Sequence, residues 1–260
     1  MTRSPPPSDD SPGEGLTHTN WLVWSSSRRP PSRPAHPLPL AHPVNQQPAR
    51  TRLLDAGLHL IRAKGFGATT VDDVCRAAGV TKGSFFHHFA SKEEFGVAAT
   101  ERFTSMADGL FDAAPFRSEN DPRARVLGYL ALRRDLLDGD LPAFTCLLGT
   151  TVQETYGTSP ALRAACRRGI LEHATGVARD IEEAKLRYAP DAEWSSESLG
   201  KFTQAVLQGA FVLAKAEGGP TVARECVDHL IRYVESLLGS PGVAERTTQN
   251  VATKNEGTEQ

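Results

Sequence analysis

The chain has 260 residues, of which 39% are hydrophobic and 23% are charged. This is the ordinary composition of a soluble protein with enough apolar side chains for one medium domain or two small ones. The net charge of −2 excludes a basic field over the whole molecule, so a nucleic-acid-binding surface has to be local. Residues 49–95 hold seven Lys or Arg against five Asp or Glu, a mild local excess.

The sequence predicts no metal site and no cofactor. The four cysteines, Cys75, Cys146, Cys166 and Cys226, are far apart, and no CxxC or His/Cys cluster is present. The chain also has no Gly-rich phosphate loop, no GxSxG elbow and no HExxH motif, so an enzyme is not predicted.

We expect a cytoplasmic protein without membrane contact. No stretch reaches the roughly 18 apolar residues that span a bilayer. The N-terminus lacks the basic and then apolar pattern of a secretory signal.

Both ends of the chain are predicted to be disordered. Residues 1–48 contain 11 of the 18 prolines, and such a segment buries too little apolar surface to offset its ordering entropy. It is either an extension without function or a weakly basic arm that touches DNA phosphates through Arg28, Arg29 and Arg33. The polar tail, residues 240–260, is the second disordered segment.

The first predicted helix covers residues 49–64. Its residues Leu54, Leu58 and Ile61 recur at the spacing of one helix face. Glycines at positions 65 and 67 end the helix.

Two short helices and the start of a longer one follow. Thr70 is predicted to cap a second helix that ends at Gly79. Thr81 caps a third helix that runs to about residue 89. Ser91, with a glutamate three positions later, forms the capping box of a fourth helix.

The rest of the chain is predicted to be helical too. One helix begins after residues 121–122, and others cover about residues 142–156, 159–188, 196–217 and 220–237. No segment alternates as a strand would. These lengths predict an all-α fold built as a helical bundle.

The second and third helices meet at Gly79, which is the layout of a helix-turn-helix whose second helix enters the DNA major groove. The amino-acid sequence of this segment resembles the TetR family of bacterial regulators over residues 50–95. The matching stretches are ATTV at 68–71, AAGV at 77–80, TKGSFFHHF at 81–89 and SKEEF at 91–95.

The resemblance implies a division of labour along the chain. Residues 49–95 would form a three-helix DNA-binding domain, and residues 96–239 a helical effector-binding and dimerisation domain. The protein would be a homodimeric repressor that releases double-stranded operator DNA when a small-molecule effector binds. An activator is left open.

The family motif, carried over position by position, also implies the DNA-contacting residues. Thr70 resembles a phosphate contact at the start of the second helix, and Lys92 resembles one at the start of the fourth. Phe86 stands where the family often has a tyrosine, so the ring is kept and the hydroxyl is lost. His88 either touches DNA or packs internally. The full DNA-binding set is Thr70, Thr81, Lys82, Gly83, Ser84, Phe86, His87, His88 and Lys92.

The last two helices are expected to pair with their copies in a partner subunit. On the first, the candidate face carries Ala205, Gly209 and Leu213, broadened by Phe202, Val206 and Ala210. On the second it carries Val227, Leu230, Ile231, Val234 and Leu237. An intramolecular core gives the same apolar pattern, so that alternative stays open.

The candidate effector-pocket residues are Cys146, Gln153, Glu154 and His173. The stretch around Cys146 is similar to a NemR-like subgroup of electrophile- and redox-responsive repressors. The alternative function is therefore a repressor switched through this thiol. Because no cation lies near it in the sequence, a buried cysteine that packs as a small hydrophobe is favoured over a sensor.

Overall fold

The computed structural model describes residues 47–239. The predictions for residues 1–46 of the extension and for the tail, residues 240–260, lie outside this range. Between residues 47 and 239, none of the helices combines the length and the hydropathy needed to span a bilayer.

The described part is all-α, as predicted, with no strand among residues 47–239. Its helices are α1 Ala49–Lys64, α2 Val71–Ala78, α3 Lys82–His88, α4 Lys92–Asp112, α5 Pro122–Asp135, α6 Leu141–Phe144, α7 Leu147–Thr155, α8 Pro160–Tyr188, α9 Ser196–Glu217 and α10 Thr221–Leu238. A short 3-10 turn, Pro115–Ser118, joins α4 to α5.

The single helix predicted over residues 142–156 is wrong, because the chain is extended at Thr145 and Cys146. Thr145 has φ −77° and ψ 156° and ends α6. Cys146 has φ −84° and ψ 122°, and its Sγ accepts a hydrogen bond from the Gly149 amide at 3.4 Å, so it is the N-cap of α7. Neither glycine nor proline lies at this break in the sequence.

Helices α1–α4 and the C-terminal bundle share one apolar core. Phe85, Phe89 and Phe95 are almost completely buried, and the same cluster contains Leu147 of α7 and Cys166 of α8. Residues from α5, α8, α9 and α10 build two further clusters. The packing of α7 and α8 against α1–α4 therefore positions the helix-turn-helix.

The dimer face predicted on α10 is largely intramolecular core. Val227, Leu230 and Val234 are at most 2% exposed within their own chain, so they are not available to a partner. The face predicted on α9 is partly buried and partly exposed. Ala210 is buried within its own chain, whereas Phe202 and Leu213 are 44% and 46% exposed. Helix α10 turns its apolar side inward because it packs on α5 and α9.

Candidate nucleic-acid interface

The turn between α2 and α3 depends on Gly79. This residue has φ 62° and ψ 41°, a left-handed conformation that glycine adopts without the steric cost of a side chain. Its amide donates to the last turn of α2, and the Val80 amide donates to the Cys75 carbonyl at 3.0 Å. The tight turn holds α3 against α2 as a helix-turn-helix requires.

A reciprocal cap fixes Thr70 at the start of α2. The Thr70 hydroxyl accepts from the Asp73 amide at 3.1 Å, and the Asp73 carboxylate accepts from the Thr70 amide at 3.0 Å. Lys64 donates to the same carboxylate at 2.7 Å. These hydrogen bonds hold the pKa of Asp73 far below its usual range. The bond from Lys64 has the largest effect, and the bonds with Thr70 come next. Thr70 is exposed, so its side chain is accessible to a phosphate group.

The buried side of α3 is aromatic. The ring of Phe85 lies 5.5 Å from that of Phe89 and 5.3 Å from that of Phe95, between ring centroids. Phe85 is fully buried. These contacts fix the rotation of α3 about its axis and so decide which residues face outward.

The outward side of α3 carries the predicted DNA-contacting residues. Thr81, Lys82, Gly83, Phe86 and His87 are exposed, and Ser84 and His88 are half-buried. Not every polar group is free, since the Thr81 hydroxyl caps α3 by accepting from the Ser84 amide at 3.1 Å.

Gly83 has no packing role inside the protein. A Cβ atom placed there would meet only the Thr81 hydroxyl, at an ordinary 3.8 Å. Gly83 is the second residue of α3 and is exposed, so the surface there admits the close approach of another molecule's backbone.

Lys82 and Phe86 are the two large exposed side chains of different chemistry on this surface, one charged and one apolar. The Lys82 ammonium lies 3.1 Å from the Asp72 carboxylate in an exposed pair. Such pairs contribute only about 0–1 kcal/mol to stability, so the lysine can leave Asp72 and pair with a phosphate instead. Phe86 is 50% exposed despite its apolar ring.

Lys92 is less accessible than its sequence position indicates. Its ammonium donates to the Gly67 carbonyl at 3.0 Å and lies 4.6 Å from the centroid of the Phe66 ring. Burial lowers the pKa of Lys92, and the Glu154 carboxylate acts in the opposite direction. The lysine therefore fastens α4 to the α1–α2 turn in addition to any contact with DNA.

Three of the four candidate effector residues belong to α7 or its N-cap, whereas His173 lies on α8 beside a different apolar cluster. Cys146 is the N-cap of α7, and Gln153 donates to the Gly149 carbonyl of the same helix at 2.9 Å. Glu154 is exposed and accepts from the Gly67 amide at 2.6 Å. His173, on α8, packs against the separate core of α5, α9 and α10.

His173, itself half-buried, belongs to a polar network with the buried Tyr129 and Gln204 that the sequence did not reveal. Its Nε2 lies 2.9 Å from the Tyr129 hydroxyl, which also accepts from the Gln204 amide at 3.2 Å. Burial, and then the charges of Arg133 and Arg117, lower the pKa of His173 to about 3. The one feature of the sequence that points to this network is the polar Gln204 on the inward side of an apolar helix.

Two cations that are distant in sequence approach the residues beside Cys146: the Arg62 guanidinium lies 3.5 Å from the Ala143 carbonyl, and Lys215 donates to the Thr150 hydroxyl at 2.6 Å. Arg62 comes from α1 and Lys215 from α9. Burial lowers the pKa of Arg62 to about 9, and the charges of Cys146 and Asp140 oppose that shift. Burial likewise lowers the pKa of Lys215, and Cys146 opposes it. Cys146 is half-buried and packs against two of the apolar clusters, so its surroundings are apolar as well as charged.

Several known proteins are similar to this chain. The family profile described as "Bacterial regulatory proteins, tetR family" matches residues 53–99. The HTH-type transcriptional repressor DhaR of Mycobacterium sp. (strain GP1) is 28% identical over 194 residues, covering 74% of this chain and 94% of DhaR. The transcriptional regulator AcuR of Cereibacter sphaeroides is 30% identical over 206 residues, covering 79% of this chain and 90% of AcuR.

A solved structure gives the same fold. The crystal structure of Escherichia coli NemR in its reduced form matches with a TM-score of 0.63 at 24% identity, covering 75% of this chain and 100% of NemR. These likenesses extend well beyond α1–α4 into the helical bundle.

Proposed function

The chain belongs to the TetR family of DNA-binding bacterial transcriptional regulators, and on that premise we propose which of its residues touch the operator and what releases it. The outward side of α3, with Thr70 and Lys92 beside it, contacts the major groove and the flanking phosphates. The observation that carries this proposal is the orientation of α3. Its aromatic side is locked in the core, while Lys82, Gly83 and Phe86 are left exposed.

We further propose that residues 49–95 act as the DNA-binding domain and residues 96–239 as the dimerisation and effector domain. Two subunits pair mainly through α9. Its side chains Phe202, Val212 and Leu213 are 44–49% exposed, and Tyr233 of α10, 47% exposed, packs its ring 5.5 Å from that of Phe202. Several exposed apolar side chains on neighbouring helices are typical of an interface.

Lys82→Ala is expected to weaken operator binding about tenfold at matched salt, because one phosphate or base contact is lost. If the contact is to phosphate, the slope of log K against log salt falls by about one. Fluorescence anisotropy with the intergenic DNA upstream of the gene measures both. Arg179→Ala removes the same charge from an exposed position on α8 and is the matched control. Equal affinity of the Lys82 variant and the parent would contradict the proposed docking of α3.

A small-molecule effector is the primary release signal in this proposal. The network of Tyr129, His173 and Gln204 lies against the ring of Phe111 and so combines apolar neighbours with a few convergent polar groups. Effector sites in proteins have this composition.

A switch through Cys146 is the second candidate, and its surroundings favour it. The thiol caps α7, and the side chains of Arg62 and Lys215 approach the residues on either side of it. A helix N-terminus and nearby cations both stabilise a thiolate, which is the nucleophilic form. The thiolate sulfur would bond to the electrophilic carbon of a quinone or maleimide, and the adduct would take its proton from water.

Cys146→Ser is expected to abolish release of the operator by N-ethylmaleimide, whereas the parent loses at least about tenfold in affinity because the adduct disturbs the α7 cap. Cys226→Ser, at another half-buried thiol, should respond like the parent. Operator titrations before and after alkylation measure the difference. Release that persists in the Cys146 variant would eliminate the thiol switch and leave the small-molecule effector.

A further inference from the structure

Helix α7 connects the dimerisation helix to the DNA-binding helices. On one side, Lys215 of α9 donates to the Thr150 hydroxyl at 2.6 Å, and Gln208 of α9 packs directly against Gly149. At the far end, Glu154 reaches the turn between α1 and α2. The helix has nine residues and spans about 13 Å.

The contact of Glu154 with this turn is specific. Its Oε2 accepts from the Gly67 amide at 2.6 Å. The neighbouring Gly65 has φ +90°, and a Cβ atom there would collide with the Glu154 carboxylate. The turn is therefore shaped to admit this side chain.

Other helices hold both polar backbone groups of Gly67. Its amide is bound by Glu154 of α7, and its carbonyl accepts from Lys92 of α4 at 3.0 Å. Gly67 lies three residues before Thr70, the cap of α2. A shift of Glu154 would thus move the entrance to the helix-turn-helix.

We propose that Glu154 is a positioning residue for DNA binding. Through its hydrogen bond to Gly67, α7 acts as a rigid connection, or strut, that fixes the orientation of the helix-turn-helix relative to α9. The inference rests on the proposed operator binding. Fixing this orientation lowers the ordering entropy that the protein loses on DNA. The carboxylate itself is negative, so simple electrostatics gives the opposite expectation, namely that its removal strengthens DNA binding.

Glu154→Ala and Glu154→Gln test the strut. The alanine variant should exchange the amide hydrogens of residues 65–70 about five- to tenfold faster and bind the operator about fivefold more weakly, with an unchanged salt slope. The glutamine variant keeps an acceptor and should lie closer to the parent. Glu101→Ala, which removes an exposed carboxylate whose pair with Arg168 is 3.5 Å long, is the charge-matched control.

The outcomes separate this inference from the proposed function. Unchanged exchange at residues 65–70 in Glu154→Ala overturns the strut. So does operator affinity that rises equally in both Glu154 variants, since the charge alone would then explain the result. If the parent itself does not bind the upstream DNA, the proposed function fails, and the exchange experiment still decides whether Glu154 holds the turn.

Discussion

Phe85→Ala is expected to destabilise the protein by about 3–5 kcal/mol, the usual range for a buried phenylalanine replaced by alanine. Phe85 is fully buried and its ring contacts those of Phe89 and Phe95. A cavity at this point removes the packing that orients α3. Urea denaturation followed by circular dichroism measures the loss, and operator binding should disappear with it.

The adjacent residue supplies the matched control. Phe86 is 50% exposed, so Phe86→Ala should change the free energy of unfolding by less than about 1 kcal/mol. Its effect should fall on operator affinity instead. If both variants lose stability equally, α3 is rotated relative to the orientation described above.

Acidification is expected to destabilise the protein through His173. Its pKa is near 6.5 when unfolded and about 3 in the folded chain, where burial and then Arg133 and Arg117 disfavour the cation. Unfolding therefore takes up a proton between these two pH values. The stabilisation is fully present above pH 6.5 and is lost progressively as the pH falls towards 3. Over the whole interval the loss amounts to about 4–5 kcal/mol.

The measurement compares urea denaturation at pH 7 and pH 5. For the parent, about 2 kcal/mol of stability should be lost at pH 5 through this one group. His173→Gln keeps a hydrogen-bonding partner for Tyr129 and cannot be protonated. The stability that this variant loses between pH 7 and pH 5 should therefore be about 2 kcal/mol smaller than the loss in the parent. His229→Gln, at an exposed position, should lose as much as the parent. Equal pH dependence of parent and His173→Gln would show that another group controls acid stability.

The sequence predicted the elements whose signals are local. Thr70, Gly79 and Thr81 mark the ends of α2 and α3, and each acts through hydrogen bonds to residues at most four positions away. The same locality explains why the first helix was predicted with the observed bounds. The one local prediction that failed, the uninterrupted helix over residues 142–156, failed because cysteine is an uncommon N-cap.

In the candidate site, too, the sequence predicts the local features and misses the contacts between distant residues. The exposed residues of α3 follow from helix periodicity once Phe85 and Phe89 are assigned to the core. The contacts of Lys92 with Phe66 and Gly67 do not follow, because they join residues about 25 positions apart.

By itself, the sequence determined an all-α regulator with a helix-turn-helix and indicated which side of α3 would read DNA. Only the tertiary structure decided the surroundings of Cys146, the network at His173 and the contact of Glu154 with Gly67. The physical reason is distance along the chain. Caps and turns are made by neighbours, whereas the Glu154 and Tyr129–Gln204 contacts join residues 87 and 75 positions apart and exist only after the helices have packed.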